Sequence, residues 1–161
     1  MSLLHPNEQL ITDFYTAFNQ QHAAPMRAAY APAAQFSDPA FPDLRGAAVG
    51  DMWTMLCEQA KEFRLEFRDV KANDSTGTAH WEAWYRFGGK RPVHNVIDAS
   101  FTFAGGKITR HVDTFDFWRW SRQALGPAGV LLGWTPMLRK AVNGRAAAGL
   151  SAWQKRRAQA L

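Results

Sequence analysis

The hydrophobic pattern of the chain changes its period once, near residue 63, and this change limits the folds that are possible. Before it, apolar residues recur at helical spacing, as in the stripe formed by Leu10, Phe14 and Phe18. After it, apolar and polar residues alternate, as they do from Phe63 to Phe67, which is the pattern of half-buried strands. Helices followed by strands are typical of an α+β fold whose helices cover one face of a curved sheet.

The same periods predict three helices and four long strands. The predicted helices are residues 7–19, 24–30 and 47–62; the predicted strands are residues 63–68, 78–87, 92–103 and 108–118. A short extended piece at residues 35–38 lies inside a proline-rich loop. The glycine pairs at 88–89 and 105–106 predict tight hairpin turns, so the four long strands should be antiparallel.

Charge divides the chain into two parts. All 14 acidic residues and 11 of the 19 basic residues lie in residues 1–118, whereas residues 119–161 hold the other eight basic residues. The net charge of +5 therefore belongs to the tail, which argues against nucleic acid as a partner of the body. The tail itself has two interpretations: a lid that places Leu131, Leu132 and Trp134 on a ligand, or, less favoured, a contact with an anionic membrane surface.

The single cysteine, Cys57, excludes an intramolecular disulfide framework and a cysteine-rich zinc site. A lone thiol fits a reducing compartment. No leader pattern is visible in residues 1–20 and no apolar stretch has the length of a membrane span. These observations predict a cytoplasmic location.

Four segments resemble the nuclear transport factor 2-like superfamily, which includes SnoaL-like polyketide cyclases, ketosteroid isomerases and limonene epoxide hydrolases. The segments are residues 14–19, 36–39, 101–108 and 111–116, and the resemblance covers about residues 8–118. It implies a cone-shaped, strongly curved antiparallel sheet packed on three N-terminal helices, with an apolar pocket in the cone. We therefore expect a SnoaL-like cone domain at residues 1–118 and a basic helical extension at 119–161 packed on it.

The resemblance implies that Asp113 is an acid/base residue. Strand parity and the family pattern together put His111, Asp113 and Phe115 inside the cone. A carboxylate among aromatic side chains is poorly hydrated, which suits it to exchange a proton near neutral pH. His111, on the same face, is expected to assist. A structural carboxylate bound to a neighbouring strand is the alternative interpretation of Asp113.

Asp98 is the second catalytic candidate, because residues 96–98 resemble the Arg-x-Asp segment of the epoxide hydrolases. With Asp113 it would form a carboxylate pair, and His94 would add a polar group. Two features argue against this. The arginine position holds Val96, and parity places Asp98 opposite to the Phe101 face unless a bulge intervenes.

The remaining predicted ligand-binding residues come from several elements. Asp38 matches the general base of ketosteroid isomerases, but the hydrogen-bonding tyrosine of those enzymes falls on Phe14, which argues against steroid isomerisation. The other predicted pocket residues are Trp53, Trp81, Tyr85, Phe115 and Tyr15. Core filling is the alternative role of these aromatic residues.

The resulting hypothesis is a SnoaL-like small-molecule enzyme of cyclase, isomerase or hydrolase type that binds an apolar ligand and uses neither cofactor nor metal. The alternative is a non-catalytic ligand-binding or protein-interaction module of the same fold. Trp84 is predicted on the outer face of the sheet, where we expect a homodimer to form.

Overall fold

The structure, a computed structural model, describes residues 3–161. Met1 and Ser2, which the predicted first domain includes, lie outside the described residues. In chain order the described elements are α1 (Pro6–Asn19), α2 (Ala23–Ala28), β1 (Tyr30–Ser37), β2 (Leu44–Arg45), α3 (Ala47–Gln59), β3 (Arg64–Ala72), β4 (Thr76–Phe87), β5 (Arg91–Ala104), β6 (Lys107–Thr114), α4 (Phe117–Leu125), α5 (Pro127–Leu132) and α6 (Pro136–Gln159).

The strands form one curved sheet in the order β2-β1-β6-β5-β4-β3. Pairing is antiparallel from β3 through β6, as the hairpin turns predict, whereas β1 runs parallel to β6. The positive backbone φ angles of Gly105 (58°) and Gly106 (75°) make the β5–β6 turn, a conformation that side chains with a Cβ rarely adopt. The predicted α+β class, with helices on one face of a curved sheet, is confirmed.

Several strand limits differ from the prediction, among them the end of β3, which extends to Ala72, the start of β1 and the end of β6. β1 begins at Tyr30 rather than at residue 35, because Tyr30 pairs with Ile108 of β6; the register is then interrupted between Tyr30 and Gln35. Pro32 falls in that interruption, where its missing N–H removes no ladder bond. β6 ends at Thr114 rather than at residue 118, because the Asp116 side chain accepts a hydrogen bond from the Arg119 backbone N–H (3.0 Å) and begins α4.

The core lies between the concave face of the sheet and the helices α1 and α3. The predicted stripe of α1 is buried, with Ile11, Phe14, Tyr15 and Phe18 all within the apolar cluster. Trp53 of α3 makes edge-on ring contacts with Phe14 of α1 and with Phe36 of β1. Burial of several large aromatic side chains is the main term that stabilises such a domain.

The chain beyond β6 is helical, and its packing corrects the predicted lid. Helices α4 and α5 touch backbone to backbone: a Cβ placed on Gly129 would lie 1.9 Å from the carbonyl oxygen of Ser121. This packing turns Leu131 and Trp134 outward, each about 70% exposed, so the prediction that they cover a ligand is wrong. Helix α6 covers the cone instead, anchored by the buried side chains of Leu150 and Trp153.

Helix length and composition show whether a helix could span a membrane. Among residues 3–161, no helix combines the length and apolar character needed to cross a bilayer. The predicted cytoplasmic location stays a prediction.

Candidate active site

A cavity of about 500 Å³ opens between the concave face of the sheet, α3 and α6. Most of its wall is apolar. The residues of its wall are Phe18, Asp38, Ala40, Phe41, Trp53, Met55, Leu56, Gln59, Trp81, Ala83, Tyr85, Phe87, Asn95, Ile97, Asp113, Phe115, Trp120, Leu125, Val142, Arg145, Ala146, Gly149, Ala152 and Arg156. Volume and composition are those of a site for a small organic molecule.

Asp113 brings a buried carboxyl group to this apolar wall. It lies on the inner face of β6, opposite Ala99 of β5. Its Oδ1 atom accepts hydrogen bonds from His111 Nε2 (2.8 Å) and Trp81 Nε1 (3.4 Å). Its Oδ2 atom has no hydrogen-bond partner within residues 3–161. One oxygen is therefore held by the protein, and the other is available to a ligand in the cavity.

His111 is fully buried behind Asp113 and is held by two aromatic residues. Its Nδ1 atom lies 2.7 Å from the Tyr30 hydroxyl oxygen, which also accepts a hydrogen bond from Trp53 Nε1 (2.8 Å). Because an indole N–H only donates, the Tyr30 proton is left for His111 Nδ1. The ring then carries its hydrogen on Nε2 and donates it to Asp113. Burial raises the pKa of Tyr30 well above its usual value, so this phenol stays protonated.

Asp38 adds a second carboxyl group to the same cavity. It follows β1 and closes a tight turn, in which its Oδ1 accepts hydrogen bonds from the backbone N–H groups of Ala40 (2.7 Å) and Phe41 (2.6 Å). Burial and, to a smaller extent, the charge of Asp113 raise the pKa of Asp38 to about 7, despite the hydrogen bonds from Phe41 and Ala40 that lower it. Asp38 is therefore a carboxylic acid that exchanges its proton near neutral pH.

Tyr85 and Asn95 supply neutral hydrogen-bond donors to the cavity. Trp120 Nε1 donates to the Tyr85 hydroxyl oxygen (2.9 Å), which leaves the hydroxyl proton free for a ligand. Burial raises the pKa of Tyr85 to about 12, so the phenol remains a donor at neutral pH. Asn95 is buried on the neighbouring strand, and its side-chain amide has no protein partner within the described residues.

The predicted site residues fall into three groups. Those that line the cavity are Asp38, Trp53, Trp81, Tyr85, Asp113 and Phe115, and His111 contacts the cavity through Asp113. Tyr15 does not line it, which corrects the prediction: the side chain is buried in the core, where its ring lies against Phe67 and Trp81. The Tyr15 hydroxyl has no hydrogen-bond partner within residues 3–161.

Asp98 and His94 lie on the opposite face of the sheet, so their predicted places in the pocket are wrong. In the β5 ladder Ala99, not Asp98, lies opposite Asp113. The inward side chains in this part of β5 are Asn95 and Ile97. Because side chains alternate between faces, Asp98 points outward and is 79% exposed. The predicted carboxylate pair of Asp98 and Asp113 does not form; Asp38 shares the cavity with Asp113 instead.

Polar residues on the outer face bind one another. The Glu82 carboxylate accepts hydrogen bonds from His80 Nε2 (3.0 Å) and His94 Nε2 (2.7 Å), and Asp98 binds the other nitrogen of His80 (2.9 Å). Trp84 stacks on His94 with a ring separation of 4.5 Å. No group of three His, Cys, Asp or Glu side chains in the described part of the chain has the arrangement of a metal site. Homodimerisation through this face stays a prediction.

Sequence reasoning offered a tail that covers the cavity, but it missed which residues of the C-terminal helices line it. Trp120 of α4 and Arg145, Gly149 and Arg156 of α6 all line the cavity. Three of them share one face of α6, because positions 145, 149 and 156 are spaced by about one and then two helical turns. The spacing in the sequence indicates that these three residues share a helix face, but it does not indicate what that face packs against.

Comparison with known proteins identifies the domain type. The family model described as the SnoaL-like domain matches residues 11–111, which is more than half of the chain. A search of curated proteins finds no match.

Solved structures share the fold at low sequence identity. An LEH-like epoxide hydrolase from M. tuberculosis has a TM-score of 0.64 at 16% identity, over 79% of this chain and 96% of that chain. A candidate polyketide cyclase from Xanthomonas campestris has a TM-score of 0.60 at 22% identity, over 73% of this chain and 96% of that chain. A protein with a ketosteroid isomerase-like fold from Catenulispora acidiphila, in complex with trimethylamine, has a TM-score of 0.64 at 15% identity, over 79% and 97%. At these identities the similarity is one of fold.

Proposed function

This chain belongs to the SnoaL-like domain family, and from that premise we propose that it is an enzyme that transfers protons on an apolar carbonyl compound bound in the cavity. One observation carries the proposal. The Asp113 carboxyl group is held at Oδ1 by His111 and Trp81 and presents Oδ2 to an apolar cavity of about 500 Å³. A buried, oriented carboxylate at a ligand-sized cavity is suited to general base catalysis.

The two carboxyl groups take different roles. Asp113 removes a proton from the carbon next to the carbonyl group, and the electron pair of that C–H bond moves into the forming C=C bond. The carbonyl oxygen receives a proton from Asp38, whose pKa burial raises to about 7, so that a protonated fraction is present near neutral pH, and the product is a neutral enol. Tyr85 is a second donor to this oxygen, and such donors stabilise the charge that develops on it.

The fate of the enol decides between two reaction types. Return of the proton to a different carbon gives an isomer, and attack of the enol carbon on a second carbonyl group gives an aldol-type ring closure. Epoxide opening in the manner of Arg-containing sites is not favoured, because Val96 occupies the position of the family arginine and neither Val96 nor Asp98 lines the cavity.

Deuterium exchange tests the proposal without knowledge of the natural substrate. Cyclic ketones, each with and without a carboxylate substituent, are incubated with the protein in D₂O, and loss of the proton next to the carbonyl is followed by NMR. We expect catalysed exchange with at least one ketone, and Asp113→Asn should lower its rate by about 10²–10⁴-fold, the usual contribution of a positioned base.

Asp98→Asn is the matched control, because it makes the same chemical change on the outer face and should leave the exchange rate unchanged. If no ketone exchanges above the rate without protein, the enzyme proposal fails and the non-catalytic binding module is favoured. Exchange that survives in Asp113→Asn would overturn the role of Asp113.

A further inference from the structure

Helix α6 presents two arginines to the cavity from a face that is otherwise small and apolar. The residues of α6 that line the cavity are Val142, Arg145, Ala146, Gly149, Ala152 and Arg156. Positions 145 and 156 are separated by close to three helical turns, so both side chains lie on one face, roughly 16 Å apart along the axis. The residues between them are small and leave space.

Neither arginine has an acidic partner within the described residues. The neighbouring Arg157 pairs with Glu58 (3.0 Å), and Arg27 pairs with Asp51 (2.6 Å). The side chains of Arg145 and Arg156 make no ion pair or hydrogen bond in residues 3–161 and are exposed, at the solvent side of the cavity. Guanidinium groups in this position are free to bind an anion, often through two parallel hydrogen bonds.

The inner part of the cavity has the opposite electrostatic character. Asp113 is buried in its wall, and Asp38 lies there as well. An anionic group would be repelled by Asp113 and, above about pH 7, by Asp38. It would be attracted to Arg145 and Arg156. The cavity therefore distinguishes the two ends of a ligand by charge as well as by polarity.

We propose that the substrate is an amphipathic organic anion, which keeps its anionic group at one of the two arginines, Arg145 or Arg156, and directs its apolar carbonyl-bearing end to Asp113. This assignment rests on the proposed function, since it describes the molecule that the same cavity would convert. The residues that recognise the anion lie in α6, outside the 11–111 segment that matches the family model. Selection of the anion is thus a property of the C-terminal extension.

Two fluorescent probes with the same aromatic rings test the assignment. Anilinonaphthalene sulfonate carries an anionic group, and phenylnaphthylamine is its neutral counterpart. In the double variant Arg145→Gln/Arg156→Gln we expect binding of the sulfonate to weaken by about tenfold or more, as loss of charge-assisted hydrogen bonds predicts, and binding of the neutral probe to change less than twofold. The double variant Lys140→Gln/Lys155→Gln loses the same net charge outside the cavity wall and should bind both probes as the wild type does.

A glycine pair shows whether the probes occupy the cavity at all. A Cβ added at Gly144 or at Gly149 would meet no atom within 4 Å, but only Gly149 lines the cavity. Gly149→Leu should therefore weaken both probes, and Gly144→Leu neither. If Gly149→Leu changes the binding of neither probe, the cavity does not bind them and the proposed function loses its basis.

If Gly149→Leu weakens both probes but the arginine variant leaves the sulfonate unchanged, the cavity stands as a ligand site and the anion assignment is overturned. Equal weakening of the sulfonate by the lysine control would also overturn it, because the effect would then come from net charge alone.

Discussion

The tautomer of His111 follows from the donors and acceptors of its hydrogen-bond chain, which runs from Trp53 to Asp113. Trp53 only donates, so Tyr30 accepts from it and donates to His111, and His111 donates to Asp113. Each member has one role that is consistent with its neighbours. Such a buried network orients the carboxylate as well as stabilising the fold.

Two buried tyrosines provide a test of this chain at the scale of single residues. Tyr30→Phe removes a hydroxyl that partners both His111 Nδ1 and Trp53 Nε1. We expect it to lower the free energy of unfolding by about 2 kcal/mol, because two buried polar atoms lose their partner. Tyr15→Phe removes a buried hydroxyl without a protein partner and should cost much less, or stabilise the protein. Urea unfolding of both variants measures the difference.

The ring nitrogens of His111 give an independent readout. In the wild type, nitrogen NMR should show the hydrogen on Nε2, and Tyr30→Phe should shift the Nδ1 resonance, because Nδ1 loses its hydrogen-bond donor. Equal destabilisation by the two tyrosine variants, with the Nδ1 resonance unchanged, would contradict the proposed chain.

At the scale of elements, the face that a residue occupies was predictable wherever a strand is regular. Alternation from Phe101 places Asp98 on the outer face, as in the structure. The resemblance that placed Asp98 in the pocket was wrong, and the alternation was the better guide. The start of β1 was not predictable, since Pro32 ordinarily argues against a strand. The residues by which α6 lines the cavity were not predictable for another reason. Residue spacing defines a helix face, but tertiary packing determines which part of the protein that face contacts.

The polar network on the outer face of β4 and β5 predicts a pH window for stability. Hydrogen bonds from His80 and His94 lower the pKa of Glu82 from 4.5 to about 2. The contribution of Glu82 to the stability of the folded protein is therefore lost as pH falls from 4.5 toward 2. Burial lowers the pKa of His80, but its hydrogen bonds to Asp98 and Glu82 outweigh burial and raise the pKa above 6.5. The contribution of His80 to the stability of the folded protein is therefore lost as pH rises above that value. The network stabilises most between about pH 4.5 and 6.5.

Glu82→Gln tests this window. The variant should be less stable than the wild type by about 1 kcal/mol near pH 5.5, a modest value because the pairs are partly hydrated, and the difference should shrink at pH 3 and at pH 8. Glu66→Gln is the control, because Glu66 pairs with Arg64 and with no histidine. Thermal or urea unfolding at the three pH values measures the difference, and a difference that does not vary with pH would count against the network.

At the scale of the whole molecule, helix α6 completes the wall of the cavity that the sheet and α3 begin. Helix α6 is fixed at both ends. Near its start, Asn143 Nδ2 donates to the carbonyl oxygens of Pro39 (2.7 Å) and Ala40 (3.0 Å); near its end, Gln154 donates to Asp51 (2.8 Å). The two residues that Asn143 binds directly follow Asp38. The position of the extension is thereby connected to the burial of a carboxyl group in the cavity.

This connection predicts that a substitution in α6 changes the titration of Asp38. Asn143→Ala removes both bonds to the turn after Asp38 and should admit water to it. The pKa of Asp38, about 7 because of burial, should then fall by a unit or more toward its ordinary value of 3.8, which carbon NMR of the carboxyl group measures. Gln154→Ala is the control, since it loosens the other end of α6, and its Asp38 should titrate as in the wild type.

The sign of the accompanying stability change follows from linkage. A carboxyl group whose pKa is higher in the folded protein costs stability as pH rises from about 4 to 7, so the wild type pays this cost in full at pH 8. Asn143→Ala loses two hydrogen bonds at every pH, but it relieves part of that cost. The free energy of unfolding of Asn143→Ala should therefore fall furthest below that of the wild type near pH 4, and the difference should be smaller at pH 8. A deficit that grows with pH, or an equal pKa shift in Gln154→Ala, would show that Asn143 does not connect the extension to Asp38.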